Sequence, residues 1–290
     1  MSRILITGAK GQLGKALTLL LKDKKPYELF LTGHTPSEDG SVAKLDIADE
    51  TAVNNTIKRV KPDIIINCAT MTAVDLCESE QENAYRVNSQ GAKYLAQAAA
   101  QIDAKLIQVS TDYVFDGKKK EPYIESDATN PLNVYGTTKL QGELFVLEHC
   151  KKSMIVRTAW LYGEGKNFVK TMLRLADSGN KIRVVADQFG TPTSTIELAK
   201  TIIYLMETEA YGIYHATCEG SCSWYEFAEM IFQVAGKDVK VEAITTAEYK
   251  TPAQRPLYSV LDNKALRERH GYYMKDWKVA FTDYMQEFFR

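Results

Sequence analysis

Short apolar segments alternate with longer segments of helical periodicity through roughly the first half of the chain. Strands are predicted at RILITG (residues 3–8), YELFLTG, DIIINCA and AKLIQVST, which are rich in aliphatic and β-branched residues. Helices are predicted at QLGKALTLLLKDK, DETAVNNTIKRVKP, QENAYRVNSQGAKYLAQAAAQID and NVYGTTKLQGELFVLEHC, where apolar positions recur at helical spacing. Strands that are apolar on both faces belong to parallel sheets covered by helices, so the pattern predicts an α/β fold.

The regular alternation ends near residue 160, after the strand that begins SMIVRTAWLYG. Helices are then predicted at NFVKTMLRLADSG, STIELAKTIIYLMET and SWYEFAEMIFQVAG, and ordered loops at DQFGTPTS and TPAQRPLYSVLD. Because no linker composition separates the two parts, we expect a smaller, interleaved α/β lobe rather than an independent domain. The predicted division is 1–157, with returning segments from about 173–200, and 158–290 for most of the smaller lobe.

Three glycines in ILITGAKGQLGKAL follow the first predicted strand and precede the first predicted helix. Gly8, Gly11 and Gly14 have G-x-x-G-x-x-G spacing, which permits a tight turn and brings a helix N-terminus close to a pyrophosphate. This context favours a Rossmann-type, doubly wound parallel sheet that binds a dinucleotide. A glycine turn without a ligand is the simpler alternative, since the motif alone is weak.

The end of the second strand bears on which nicotinamide cofactor is used. An acidic residue there is typical of NAD sites, but this strand ends in LTGHTPSE, with Gly33, His34 and Thr35 in its place. We expect NADPH, with NADH used as well, although no arginine follows. His34 is a candidate ribose contact or an exposed loop histidine.

Two tyrosines are each followed by a lysine four residues later. Tyr135 and Lys139 lie in VYGTTKLQGE, within a predicted helix, where positions i and i+4 share one face. Tyr162 and Lys166 lie in LYGEGKNF, where two glycines between them argue against a helix. The first pair is therefore predicted to act in proton transfer, and the second to form a loop without a catalytic role.

Polar residues end the strand that precedes the first pair. LIQVSTDYVFDG places Ser110, Thr111, Asp112 and Tyr113 at a carboxyl strand end, where open α/β sheets bind ligands. A hydroxyl there is suited to bind a substrate carbonyl oxygen. The alternative is that these side chains only cap the strand.

Composition and charge exclude several other classes of protein. The net charge of -1 gives no overall attraction to nucleic acid or to membranes. The 5 cysteines include no C-x-x-C pair, so no disulfide framework or zinc site is predicted. We expect a cytoplasmic protein without a signal peptide or membrane span.

These motifs together resemble an extended short-chain dehydrogenase/reductase that acts on nucleotide sugars. STDYVFDG, NPLNVYGTTKLQGE, RTAWLYG, DQFGTPT and RPLYSVLD resemble dTDP-4-dehydrorhamnose reductases in order along almost the whole chain. The resemblance implies that NAD(P)H reduces the C4 ketone of dTDP-4-dehydro-β-L-rhamnose, in dTDP-rhamnose synthesis for cell-surface polysaccharide. Tyr135 would protonate the oxygen, Lys139 would hold the nicotinamide ribose and lower the pKa of Tyr135, and Thr111 would bind the same oxygen.

The resemblance also assigns binding residues. It implies cofactor contacts from Gly8, Gly11, Gln12, Leu13, Gly14, His34, Asp46, Ile47, Thr70, Met71, Thr72, Tyr135 and Lys139. It implies substrate contacts from Thr72, Val74, Thr111, Asp112, Tyr113, Tyr135, Trp160 and Arg255. Arg255 suits a diphosphate, although a surface ion pair is its alternative.

Two departures narrow the prediction. Related dehydratases usually carry glutamate where Tyr113 stands, so reduction without elimination fits better. Some relatives bind Mg²⁺ at a dimer interface through glutamates, but Lys15 and Ala16 follow the glycine loop here and only Glu197 matches. No metal and no such dimer are therefore expected, and a homodimer of another kind stays open. A reductase or epimerase of another nucleotide 4-keto-6-deoxy sugar, and a regulatory subunit of methionine adenosyltransferase, remain alternatives.

Overall fold

A computed structural model of the chain describes residues 1–179 and 181–288. The strands are β1 (Ser2–Thr7), β2 (Tyr27–Gly33), β3 (Val42–Lys44), β4 (Ile64–Asn67), β5 (Lys105–Thr111), β6 (Ser153–Thr158), β7 (Leu161–Tyr162), β8 (Ile182–Val185), β9 (Phe189–Gly190), β10 (Thr193–Ser194), β11 (Gly212–His215), β12 (Cys222–Ser223) and β13 (Val241–Ile244). The helices are α1 (Gln12–Leu21), α2 (Glu50–Val60), α3 (Val74–Ser79), α4 (Gln81–Tyr85), α5 (Gly91–Gln101), α6 (Val134–His149), α7 (Phe168–Asp177), α8 (Thr195–Met206), α9 (Trp224–Val234), α10 (Lys264–His270) and α11 (Trp277–Phe288).

Within the described residues, seven parallel strands form the central sheet in the order β11-β6-β5-β4-β1-β2-β3. Alternate residues of β1 point to opposite faces: Ile4 and Ile6 pack in one core and Leu5 in another. Helices α1 and α8 cover the first face, and α2, α5 and α6 cover the second. The predicted α/β, Rossmann-type doubly wound sheet is confirmed.

A smaller lobe has its own apolar core. It is built from α7, α9 and α11 with the parallel strands β8 and β13, and its core includes Phe227, Ile231 and Phe281. Helix α8 and strand β11 lie between β8 and α9 in the chain, but they pack on the central sheet or belong to it. The two parts are therefore interleaved, and the predicted division at residue 157 stays a prediction.

The long helix predicted over QENAYRVNSQGAKYLAQAAAQID is interrupted. Residues Arg86–Gln90 form a π-helical turn between α4 and α5. This turn brings the Asn88 amide to Met71, whose backbone N–H donates to Asn88 Oδ1 at 2.8 Å, and to the Thr138 hydroxyl on α6 at 3.1 Å. Wider helical turns of this kind often occur at functional sites. Here the turn ties the loop after β4 to the middle of α6.

Candidate active site

A cavity of about 520 Å³ opens at the carboxyl ends of β1, β4, β5 and β6. This is the edge at which open parallel sheets bind ligands. Fourteen of the predicted site residues line it: Gly8, Gly11, Gln12, Leu13, Gly14, Thr70, Thr72, Val74, Thr111, Asp112, Tyr113, Tyr135, Lys139 and Trp160. The glycine loop and the first tyrosine–lysine pair thus share one cavity.

The glycine loop is tightly packed on one side and open on the other. Gly8 has φ +66°, and a Cβ added there would lie 2.7 Å from the backbone nitrogen of Ala69. A Cβ at Gly14 would lie 2.5 Å from the Gly8 carbonyl oxygen. Gly11 begins the first turn of α1, and a Cβ there would meet only the Gly8 oxygen within 4 Å. The loop therefore presents backbone and a positive helix end to open space, which fits a dinucleotide pyrophosphate.

Helix α6 positions the first pair. The Asn133 side chain caps the helix by accepting from Gly136 N at 2.8 Å, so Tyr135 lies in the first turn. A Cβ at Gly136 would lie 2.2 Å from the Tyr113 carbonyl oxygen, so glycine is required for this close approach. Burial raises the pKa of Tyr135, and a hydrogen bond with Thr111 opposes the rise. Tyr135 is therefore protonated at neutral pH, as a proton donor must be.

Lys139 lies one turn further along α6 and is almost fully buried. Its Nζ donates to the Val109 carbonyl oxygen at 2.6 Å. Burial lowers the pKa of Lys139 to about 8, and the Glu143 carboxylate opposes this shift. Burial dominates the pKa of Tyr135 and Lys139 Nζ is turned toward β5, so the expectation that Lys139 makes Tyr135 more acidic stays a prediction.

The end of β5 supplies the remaining polar groups. Thr111 Oγ1 donates to Asp112 Oδ1 at 3.0 Å, and burial raises the pKa of Asp112 to about 6. The Tyr113 ring packs edge-on to Tyr135, with 5.9 Å between ring centroids. A hydroxyl, a carboxyl group and a phenol thus surround the tyrosine that faces the cavity.

A buried ion pair holds α6 against the sheet. Glu143 accepts from Arg157 Nη2 on β6 at 2.6 Å and from Ser110 Oγ on β5 at 2.5 Å. Both charged side chains are at most 3% exposed. Removing one partner of such a pair leaves an uncompensated buried charge. The pair therefore holds α6 against the ends of β5 and β6.

Some predicted cofactor residues lie away from the cavity, beyond β2 and β3. His34 is exposed, and its Nδ1 lies 4.0 Å from Asp46 Oδ2. Ile47 packs against Gly91, where a Cβ would lie 2.7 Å from Ile47 Cδ1. Lys10, which sequence reasoning missed by looking for arginine, reaches the same edge and donates to the Pro36 carbonyl oxygen at 3.2 Å. Their contacts with a cofactor stay a prediction.

Met71 and Arg255 are also not on the cavity wall. Met71 is held by Asn88 through its backbone. Arg255 forms a two-point ion pair with Asp75, with Nη2 to Oδ2 at 2.8 Å and Nη1 to Oδ1 at 3.1 Å. It also interacts with Tyr113, which lines the cavity. The predicted diphosphate contact of Arg255 stays a prediction.

Two tryptophans form one side of the cavity. Trp160, which has φ +46°, stacks on Trp224 with ring centroids 3.5 Å apart. A Cβ at Gly190 would lie 2.4 Å from Trp160 Cε2, so the glycine makes room for the ring. Sequence reasoning missed Trp224, because its stack with Trp160 forms only in the tertiary structure.

The second pair is split between two environments. Tyr162 forms β7 with Leu161 and is 1% exposed in the core of the smaller lobe. Its hydroxyl has no hydrogen-bond partner among the described residues. Lys166 is exposed and lines the cavity, which sequence reasoning did not predict. The pair does not converge on a common ligand position, as expected from its two glycines.

Neither a metal-binding cluster nor a membrane-spanning helix is found in the described residues. No group of three or more His, Cys, Asp or Glu side chains is placed to hold a metal ion in residues 1–179 and 181–288. Glu197 instead pairs with Lys200 at 2.7 Å and Lys275 at 3.7 Å. No helix in these residues is long and apolar enough to cross a membrane.

Comparison with known proteins gives full-length matches. The family described as RmlD substrate binding domain matches residues 1–290. A dTDP-4-dehydrorhamnose reductase of Aggregatibacter actinomycetemcomitans is 45% identical, covering 98% of this chain and 98% of that protein. The crystal structure of such a reductase from Clostridium acetobutylicum ATCC 824 has a TM-score of 0.94 and 47% identity, covering 99% of this chain and 100% of that one. One from Bacillus anthracis str. Ames, in complex with NADP, has a TM-score of 0.91 and 40% identity, covering 99% and 100%.

Proposed function

The chain belongs to the RmlD substrate-binding domain family, and on this premise we propose that it is an NAD(P)H-dependent reductase of a nucleotide sugar. Its substrate is dTDP-4-dehydro-β-L-rhamnose, whose C4 ketone becomes the hydroxyl of dTDP-β-L-rhamnose. The product serves cell-surface polysaccharide synthesis.

One observation carries the proposal. Thr111, Tyr135 and Lys139 line the same cavity as the glycine loop, at the carboxyl ends of parallel strands. A proton donor and a dinucleotide-binding loop that face one space are what a carbonyl reduction requires. A regulatory subunit without chemistry would not need a protonated tyrosine beside a strand-end hydroxyl.

The chain's own groups account for the proton and the orientation. When bound, the nicotinamide cofactor supplies the hydride that reduces the ketone carbon. The Tyr135 hydroxyl gives its proton to the ketone oxygen. The Thr111 hydroxyl, which donates to Asp112 Oδ1 in the free chain, turns to donate to the same ketone oxygen. The buried Lys139 ammonium places a positive charge where negative charge develops. The ion pair of Glu143 and Arg157 keeps α6 at the required position.

The cavity wall also suits a sugar that is already deoxygenated at C6. Asp112 and Thr72 offer hydrogen bonds to ring hydroxyls, and the stacked Trp160 and Trp224 offer an apolar surface. Tyr113 stands where an elimination would need a carboxylate, so reduction proceeds without loss of water. Arg255, held by Asp75, adds a positive charge next to Tyr113.

We further propose NADPH as the preferred donor, with NADH also accepted. Lys10 brings a cation to the edge of the sheet beside Gly33, where the 2′-phosphate of NADPH would lie. The free thiols of all five cysteines fit a reducing compartment such as the cytoplasm.

Product analysis tests the function. The protein is incubated with the dTDP-4-keto sugar and either NADPH or NADH, and the product is identified by NMR. The proposal expects dTDP-β-L-rhamnose with one nicotinamide oxidised per sugar. A C4 epimer or an unchanged sugar contradicts it, and so does tight binding to a methionine adenosyltransferase without turnover.

A further inference from the structure

Lys166 is a cavity-facing cation that the proposed mechanism leaves unused. It lies in the loop of residues 163–167, between β7 and α7, and lines the cavity together with Gly11, Gln12 and Leu13. Within residues 1–179 and 181–288, no carboxylate forms an ion pair with it. An unpaired lysine beside a glycine loop is free to bind an anion.

The loop that carries Lys166 is fastened to the start of α1. Asn167 Nδ2 donates to Gln12 Oε1 at 3.1 Å, and the Lys15 ammonium pairs with Glu164. A Cβ at Gly165, which has φ +124°, would lie 3.3 Å from Gln12 Cγ. The backbone of Lys166 is therefore held beside the glycine loop by contacts on both sides of it.

The same contacts bring two helix N-termini together. Gln12 is the first residue of α1, and Asn167 is the N-cap of α7, each helix being 10 residues long. Each helix end carries a partial positive charge, and the negative charge of Glu164 is already neutralised by Lys15. The space in front of Lys166 therefore favours a negatively charged group.

We propose that Lys166 binds the pyrophosphate of the dinucleotide cofactor. Its Nζ donates a charge-assisted hydrogen bond, while the backbone of the glycine loop supplies the other donors. This inference rests on the proposed function, since it requires that a dinucleotide binds. The sequence motif of the second pair thus contributes to cofactor affinity through its lysine alone.

Equilibrium binding separates this role from others without measuring turnover. Dissociation constants of NADPH, NADH and dTDP are measured by titration calorimetry for the full chain and for Lys166→Gln, Lys166→Arg and Lys170→Gln. Lys170 is the matched control, because it is an exposed lysine of α7 that does not line the cavity. Removal of an exposed charge at the surface leaves the fold intact, and thermal unfolding of each variant checks this.

The proposal expects Lys166→Gln to weaken NADPH and NADH equally, by about five- to tenfold, and to leave dTDP unchanged. The loss should shrink at high salt, and Lys166→Arg should restore most of the affinity. Lys170→Gln should bind all three ligands as the unmodified chain does. Unchanged cofactor affinity overturns the inference. A loss confined to NADPH also overturns it, because Lys166 would then bind the 2′-phosphate, and so does a loss confined to dTDP. Failure of the unmodified chain to bind either cofactor contradicts the proposed function itself.

Discussion

The two tyrosine–lysine pairs have the same spacing but occupy different parts of the molecule. Tyr135 and Lys139 lie on one helix and both line the cavity. Tyr162 is buried in the core of the smaller lobe, while Lys166 extends from a loop into the cavity. The difference follows from what lies between them: Gly136 packs within a helical turn, whereas Gly163 packs against Thr195 and Gly165, with φ +124°, turns the chain out of β7.

Equal spacing in the sequence therefore brings a tyrosine and a lysine to one site only where a helix holds both side chains on the same face. The first pair is fixed by the Asn133 cap, the Glu143–Arg157 ion pair and the neighbouring strand end. In the second pair, Tyr162 packs in the core of the smaller lobe and Lys166 lines the cavity, so the two side chains contact different groups.

The largest expected effect is on the chemical step at position 135. Tyr135→Phe removes the proton donor and should lower kcat by about 10²–10⁴-fold while leaving the dissociation constant of NADPH within about threefold. Steady-state kinetics and cofactor titration measure the two quantities. A variant that retains more than about a tenth of kcat would show that another group delivers the proton.

The pH profile tests the state of Lys139. Burial lowers the pKa of this lysine to about 8, so its ammonium form is present below that pH and is lost above it. If the charge is needed, kcat/KM should fall by up to about tenfold per pH unit above pH 8. Lys139→Met should remove this alkaline limb along with most activity. A profile that stays flat to well above pH 8 would contradict the role of the ammonium group.

The smallest effect is expected at Tyr162. Its hydroxyl is buried without a partner in the described part of the chain, so Tyr162→Phe removes an unsatisfied polar group. The free energy of unfolding should be unchanged or rise by up to about 1 kcal/mol, and kcat should stay within about twofold. Denaturant unfolding and steady-state kinetics give both values. A large fall in kcat with an intact fold would place Tyr162 in the chemistry after all.

Hydrophobic pattern predicted the fully covered strands of the central sheet, but it did not predict β11 or the π-helical turn. Strands such as Ile64–Asn67 are apolar throughout because both of their faces are covered, and this leaves a clear signal. β11, which completes the sheet, has only four residues and returns from a distant part of the chain. The π-helical turn at Arg86–Gln90 arises from the tertiary contacts of Asn88, which periodicity does not report.

The candidate site was predictable where local motifs specify it. The glycine loop, Thr111, Tyr135 and Lys139 were found because a motif and a strand or helix end coincide. Lys166 and Trp224 were missed, since their place on the cavity wall depends on how the smaller lobe packs. The raised pKa of Tyr135 was also missed, because burial is a property of the folded chain.

The central claim, that the first pair acts as a unit and the second does not, is tested most directly by two double-mutant cycles. The single-turnover rate of NADPH oxidation, at saturating cofactor and sugar, is measured for Tyr135→Phe, Lys139→Met and the double variant, and for Tyr162→Phe, Lys166→Met and their double variant. We expect the first double variant to be at least about tenfold faster than the product of its two single losses implies. For the second pair, the loss in the double variant should equal the product of the two single losses within about twofold. Additive losses in the first cycle, or strong coupling in the second, would contradict it.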